Sequence, residues 1–475
     1  MQSKKDENQR EMLAVEIDLN KIRNFGIADY LGREFECECG KKHSVDIEKI
    51  IIEKGALKKI PEILRNYIAK KIFMVADRNT YHAAGERVEQ LLSDSGFAYK
   101  TMLYEREGDL VPDERAIGEF FINIEKDTDI ILAVGSGVIN DLSKYISARL
   151  NIPLIIVATA PSMDGYASDT SALTLDNLKT SVAVKLPKVI IGDLDVLKEA
   201  PLEMILAGFG DMIGKYSALK DWKLGKILTG EYYCETVAEM VKLSVQKCID
   251  NINGYKSKDV DAIKNLMEGL VVSGIAMSFV ENSRPASGTE HHISHYWETM
   301  FLLENKKAVL HGIKVGIAAL ASSNIAAVLT SRNIDFETVE NKAGSFDENK
   351  WKNEIIKFYR KAAPGILKLS EKHDRNSLEA RKQRVNVIKL NWRLIVNTLQ
   401  EGPSPAQVDN MLNQAGAVRN PRDIGISNDI IYNSIVYAKE IRTRYTVLQL
   451  LWDLSLIEEF AQVVTDYYKA LSEKA

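Results

Sequence analysis

The sequence predicts two structural classes in tandem: a mostly parallel α/β domain followed by an all-helical domain. Three observations carry this expectation. Between residues 46 and 200, short β-rich runs alternate with helical stretches of about ten to fifteen residues, the pattern of βαβ units. After Pro201, long stretches carry apolar residues at helical spacing, with few β-rich runs between them. A chain of 475 residues, 45% hydrophobic and 27% charged, has the length and balance for two or three globular domains.

Taken in order, IEKIII (47–52) reads as a strand, GALKKIPEILRNYI as a helix and KIFMVAD (71–77) as a second strand. A helix over 82–95 leads to the strand YKTMLY (99–104), and one over 114–125 leads to DIILAV (129–134). The helix DLSKYISARL (141–150) then precedes PLIIVAT (153–159). SVAVK (181–185) and KVIIGD (188–193) read as a short hairpin-like edge. Helices are expected within 202–224, 231–252, 259–281 and 433–472, so residues 1–45 form an extension, 46–200 one domain and 201–475 the other. The basic run RKQRVNVIKLNWR, inside a charged segment at 345–395, reads as a solvated helix face.

Composition narrows the function classes. A net charge of −4 is the wrong sign for a general nucleic-acid binder. The amino-terminal MQSKKDENQREM lacks the apolar core of a secretory signal. The apolar stretches 271–280 and 315–329 read as too short or too interrupted to span a bilayer, which points to a cytoplasmic protein. Four scattered cysteines build no disulfide scaffold. CECGKKH offers Cys37, Cys39 and His43, but a structural zinc takes four protein ligands, and Cys234 and Cys248 lie far away in sequence. A surface turn is the expectation there.

Chemistry concentrates in five places. GSGVIND follows a strand and opens a helix; Gly135 and Gly137 permit a tight turn, and the helix start suits a pyrophosphate, although Asn140 stands where a dinucleotide fingerprint has its third glycine. Asp77 ends a strand, where a carboxylate can meet a ribose or simply start a turn. TAPSMDGYASDTSA (159–172), rich in hydroxyls, holds Asp164 at the same sheet edge. LAGFGDMIGKYSALKDW places Asp211 on a helix, with Gly208 and Gly210 expected to leave open space around it. SGTEHHISHYWE supplies three of the seven histidines, and His311 follows. Asp211 with His291, His295 and His311 would suit Zn²⁺, Ni²⁺ or Fe²⁺.

In this order, GSGVINDLSKY, VATAPSMDGYAS, GFGDMIGKYSALKDW, SGTEHHISHYWE and HGIKVG resemble the sn-glycerol-1-phosphate dehydrogenase family of the dehydroquinate synthase/iron-containing alcohol dehydrogenase superfamily. RNPRDIGIS and EIRTRYTVLQLLWDL resemble its bacterial branch. The resemblance implies a Rossmann-like α/β domain followed by a helical domain, a homodimer, and NAD(P)-linked interconversion of dihydroxyacetone phosphate and sn-glycerol 1-phosphate. It implies that Gly137, Val138, Ile139, Asn140, Asp141, Thr159, Ser162 and Ser168 hold the nucleotide, with Asp77 near its ribose. Asp164 and His295 would touch substrate, and Asp211, also counted among the catalytic residues, would bind one divalent ion, nickel or zinc, with His291 and His311. Ser136 replaces a glycine common in the family's first loop. Glycerol dehydrogenase, a dehydroquinate-synthase-like lyase and a catalytically silent binding protein are the alternatives.

Overall fold

Lys71–Asp77 (β5) shows why a central sheet forms: IFMVA is buried on both faces, as a strand inside a parallel sheet requires. In the computed structural model, which describes residues 13–106, 108–175, 178–344, 346–373 and 376–473, this strand belongs to a six-stranded sheet. MQSKKDENQREM lies outside the described residues. The other strands are Lys49–Glu53 (β4), Ala98–Tyr104 (β6), Ile130–Gly135 (β7), Leu154–Ala158 (β8) and Val189–Asp193 (β11). Their order is β4-β11-β8-β7-β5-β6, with every pair parallel.

Alternation sorts the strand residues between two cores. Met74, Leu132, Val134 and Ile155 face the helices Ile60–Asn66 (α1) and Glu86–Asp94 (α2). Phe73, Val75, Ile131, Ala133 and Ile156 face the other way, toward Glu114–Asn123 (α3) and Gly137–Leu150 (α4). That second core runs on without a break into the helical half, reaching Trp222, Trp297 and Tyr468. Burying each such side chain contributes about 1.5–3 kcal/mol, so the shared core couples the two halves strongly.

Val189–Asp193 corrects the expected edge hairpin. It lies inside the sheet between β4 and β8, fully buried, while the hairpin pairs Thr170–Leu175 (β9) with Leu178–Ala183 (β10). An unbroken apolar run suits a strand covered on both faces, which the edge reading overlooked.

Beyond Asp193 the chain turns helical. Leu202–Thr229 (α5), Glu235–Asp250 (α6), Val260–Val280 (α7), Thr289–Leu303 (α8) and His311–Thr330 (α9) lead, and Leu378–Leu399 (α10) and Val447–Asp453 (α11) follow among others. α7 and α9 are long and apolar enough to cross a membrane, contrary to the reading of their sequence, yet 83% and 78% of their apolar windows are buried in the protein. The basic run on α10 is only partly solvated: Arg384 pairs with Asp453 at 2.9 Å, and Arg381 lies 4.2 Å over the Trp452 ring. Leu13–Ile17 (β1), Arg33–Cys37 (β2) and Lys42–Ser44 (β3) form a small mixed sheet, β1-β2-β3, resting on the helical half through α7.

Candidate active site

The chain leaves β5 toward β6, then returns to place β7 on the other side of β5. This reversal opens a crevice at the strands' carboxyl ends, where ligands of open α/β sheets bind. Asp77 stands at one lip, its carboxylate accepting from Thr80 N at 2.9 Å. Gly135 and Gly137 form the other lip. α4 starts at Gly137, four residues earlier than its apolar spacing suggests, so its free N–H groups face the crevice mouth. A Cβ at Gly135 would collide with Ile139 at 2.5 Å, whereas one at Gly137 would meet only Met163, at 3.7 Å. Packing within the protein therefore fixes Gly135 but leaves Gly137 unconstrained.

The hydroxyl-rich loop is fastened beside this turn. Thr159 N donates to Gly135 O at 3.1 Å, and Asn140 Nδ2 to Gly165 O at 3.3 Å. Fully buried Lys144 donates to Gly165 O (2.7 Å), Ser168 Oγ (3.1 Å) and Thr170 O (2.6 Å). Ser168 and Asn140 thus brace the loop with their side chains. Ile139 is buried and can offer a ligand only its backbone, whereas Val138 is partly exposed. Asp141 lies 3.7 Å from Lys144, its carboxyl pushed up by burial, and Thr159 and Ser162 are nearly buried at the loop's start.

Asp164 leads from this loop into the helical half. Its N–H donates to Asp211 Oδ2 at 3.2 Å. Its carboxylate meets Lys215 Nζ at 2.6 Å and Ser273 Oγ at 2.9 Å, and Lys215 also reaches Asp211 at 2.8 Å. Burial and neighbouring Asp164 push the Asp211 carboxyl up to about 6, against the pull of Lys215. Burial also raises Asp164, but there Lys215 prevails and the carboxyl is held below its ordinary value.

Around Asp211 the helix backbones nearly touch. The glycines correct the expectation of open space: a Cβ at Gly208 would lie 1.9 Å from Pro161 O, and one at Gly210 2.3 Å from Gly312 O. α5 and α9 cross here at backbone contact, bringing Asp211 and His311 together. α8 delivers the remaining imidazoles. Asp221 fixes its start by accepting from Thr289 N at 2.6 Å, while its other oxygen accepts from Val447 N at 2.8 Å.

Asp211, His291 and His311 offer ligand atoms that lie within 4.8 Å of one another. His291 Nε2 is 3.8 Å from Asp211 Oδ1, and its Nδ1 faces Glu290 Oε1 at 2.6 Å. Such a carboxylate behind an imidazole fixes which nitrogen faces a metal. His311 Nδ1 is buried with no hydrogen-bond partner among the described residues, a state that an ordinary core histidine avoids and that leaves the nitrogen open to a ligand. Burial drives both imidazoles well below their usual range, keeping them neutral as ligands must be. This donor set fits a divalent ion. A competing trio, His295, Glu298 and His311, also satisfies the 4.8 Å spacing. His291 and His295, one turn apart, have ring centroids 6.0 Å apart.

His295 Nδ1 meets Glu298 at 3.2 Å and Nε2 meets Arg442 Nη2 at 3.3 Å. Guanidinium can only donate, so Nε2 accepts and Nδ1 carries the proton toward Glu298. Burial is the main cause pulling His295 down to about 4. Lys179 of β10 lies 3.3 Å from Glu298, and Lys314 of α9 lies 3.9 Å from it. Buried Lys314 and partly buried Lys179 and Arg442 therefore gather three cations around one carboxylate.

Sequence reading missed Lys144, Lys179, Lys215, Glu290, Glu298, Lys314 and Arg442. Some signal was present: Lys215 follows Asp211 by one helical turn, Glu290 precedes His291, and Lys314 and Arg442 lie inside HGIKVG and EIRTRY.

Residues 51–201 match the iron-containing alcohol dehydrogenase family. The chain is 31% identical over 427 residues to glycerol-1-phosphate dehydrogenase (NAD(P)+) of Geobacillus stearothermophilus, covering 89% of this chain and 97% of that one. It is 38% identical to the enzyme of that name from Bacillus subtilis (strain 168) over 297 residues, covering 62% and 75% of the two chains. Among solved structures, a probable glycerol dehydrogenase from Sinorhizobium meliloti 1021 shares the fold at a TM-score of 0.59 and 13% identity, covering 89% of this chain and 98% of that one.

Proposed function

The chain belongs to the glycerol-1-phosphate dehydrogenase family, and from that membership we propose that it interconverts dihydroxyacetone phosphate and sn-glycerol 1-phosphate with NAD(P)(H). The observation that carries the reading is the cation set of buried Lys314 and partly buried Lys179 and Arg442 beside the Asp211–His291–His311 cluster. A phosphate dianion suits this excess of positive charge, whereas an unphosphorylated triol would leave it uncompensated.

In the proposed site Asp211, His291 and His311 hold one divalent ion, nickel or zinc, and Gly137 to Asp141, Thr159, Ser162 and Ser168 frame the nucleotide, with Asp77 toward its ribose. The ion supplies Lewis-acid polarisation of the C2 oxygen, and the nucleotide supplies or accepts hydride. This chain's own groups do the rest. Arg442, Lys179 and Lys314 anchor the phosphate and so set which carbon meets the nicotinamide. Asp164, fixed by Lys215 and Ser273, orients a substrate hydroxyl. His295 Nε2, an acceptor, takes the alcohol proton in the oxidative direction and returns it in reduction, while Glu298 steadies Nδ1–H. Family membership further supports a homodimer and a cytoplasmic location.

NADH oxidation with dihydroxyacetone phosphate, with dihydroxyacetone and with neither tests the reading. A strong preference for the phosphorylated ketone is expected; equal turnover of both ketones would overturn it.

A further inference from the structure

Cys37, Cys39 and His43 do not form the surface turn expected from CECGKKH. β2 ends at Cys37, β3 carries His43, and the turn between them folds onto the helical half, where Cys234 caps α6. His43 is buried, 1% exposed, and Cys234 is fully buried. We propose that Cys37, Cys39, His43 and Cys234 together bind a structural zinc ion, separate from the site described above.

Spacing is the first argument. The four ligand atoms lie within 4.8 Å of one another. With Zn–S near 2.3 Å and Zn–N near 2.0–2.1 Å, tetrahedral geometry sets sulfurs about 3.8 Å apart and sulfur–nitrogen pairs about 3.6 Å apart. Cys37 Sγ and Cys234 Sγ are 3.7 Å apart, Cys234 Sγ and His43 Nε2 3.6 Å, and Cys39 Sγ and His43 Nε2 3.3 Å. All the cysteines are free thiols, and 3.7 Å is far beyond a disulfide bond of about 2.05 Å.

The surroundings are the second argument. His43 Nδ1 bonds Phe279 O at 2.8 Å, and its ring stacks on Phe279 at 5.4 Å, which aims Nε2 at the sulfurs. An imidazole oriented in this way by a backbone carbonyl is the usual arrangement behind a ligating nitrogen. Tyr232 Oη lies 3.1 Å from Cys39 Sγ, and Val237 N donates to Cys234 Sγ at 3.4 Å, two contacts suited to thiolate charge. Three sulfurs and one nitrogen select a soft ion and leave no open position for substrate, so the ion's role is to join strands near the amino terminus to a helix about two hundred residues later.

The test uses the full chain purified with zinc under reducing conditions. X-ray absorption at the zinc edge should show a shell of three sulfurs and one nitrogen, which the other site cannot supply because it contains no sulfur. Cobalt(II) reconstitution should give thiolate-to-cobalt charge-transfer bands. Cys37→Ser/Cys234→Ser should lose about one zinc per chain and the sulfur shell, while Cys248→Ser, placed elsewhere, keeps both. If the double variant fails to fold, the wild-type spectra decide. Absence of a sulfur shell in folded wild-type protein, or a Cys37–Cys234 disulfide under these conditions, would overturn the proposal whatever the substrate proves to be.

Discussion

Replacing Gly312 by alanine should detach the metal without touching a ligand. The new Cβ would lie 1.8 Å from Ala207 O, where ordinary contact begins near 3.4 Å. Closing that deficit of about 1.6 Å (3.4 − 1.8) falls on two backbones, since neither partner is a side chain that can swing aside. Ala207 lies one turn before Asp211 on α5, and Gly312 directly follows His311 on α9. Parting the helices therefore separates two of the proposed metal ligands, in a geometry that tolerates about ±0.2 Å. Helix propensity favours alanine by about 1 kcal/mol. Overpacking costs about 1–3 kcal/mol and should prevail, so stability falls modestly while metal affinity collapses. Gly118→Ala is the control: its Cβ would meet nothing within 4 Å. Metal per chain after dialysis, kcat/KM and thermal midpoint should be measured on both. A loss of at least about 100-fold in kcat/KM is expected for Gly312→Ala, as for a misplacement of about 1 Å. Full metal content and wild-type kcat/KM in that variant would refute the argument from backbone contact.

Three further outcomes are expected. His295→Ala should retain its metal and lose about 10²–10⁴-fold in turnover, while His291→Ala loses metal and activity together; an empty His295→Ala would transfer the site to His295, Glu298 and His311. Gly137→Val should fold normally, since a Cβ there meets only Met163 at 3.7 Å, yet bind NAD(P)H far more weakly with its metal in place; undiminished affinity, read by fluorescence titration, would reduce that loop to a turn. Arg442→Gln should raise KM for dihydroxyacetone phosphate by roughly 10- to 100-fold, the worth of a hydrogen bond to a charged group, and leave metal content unchanged. An unaltered KM would remove Arg442 from the phosphate site.

The sequence made legible what depends on local periodicity and on groups close together along the chain. β-rich runs separated by helical spacing announced the parallel sheet, and the four-residue step from His291 to His295 announced a shared helix face. Features built by distant segments stayed hidden. Gly208 and Gly210 suggested open space because the carbonyls crowding them belong to Pro161 and Gly312. Lys215 did not stand out as a site residue because its partner Asp164 lies some fifty residues earlier in the chain. Val189–Asp193 was misplaced because its burial comes from neighbours on both sides of the sheet. CECGKKH offered three ligands, and only folding brings the fourth.

Lys179 stands on a hairpin of the α/β half, while Lys314, Arg442 and Glu298 belong to the helical half. A dianion seated among them would act as a removable tie between the two. Any ligand that binds only the joined arrangement adds RT ln(1 + [L]/Kd) to its stability, about 2.7 kcal/mol at a hundredfold excess over Kd. Substrate would then shape how the molecule melts as well as what it reduces. Bound phosphoester draws the unfolding of both halves toward one cooperative transition, whereas the same ketone without its phosphate leaves their coupling to the shared apolar core and the polar contacts of Asp164.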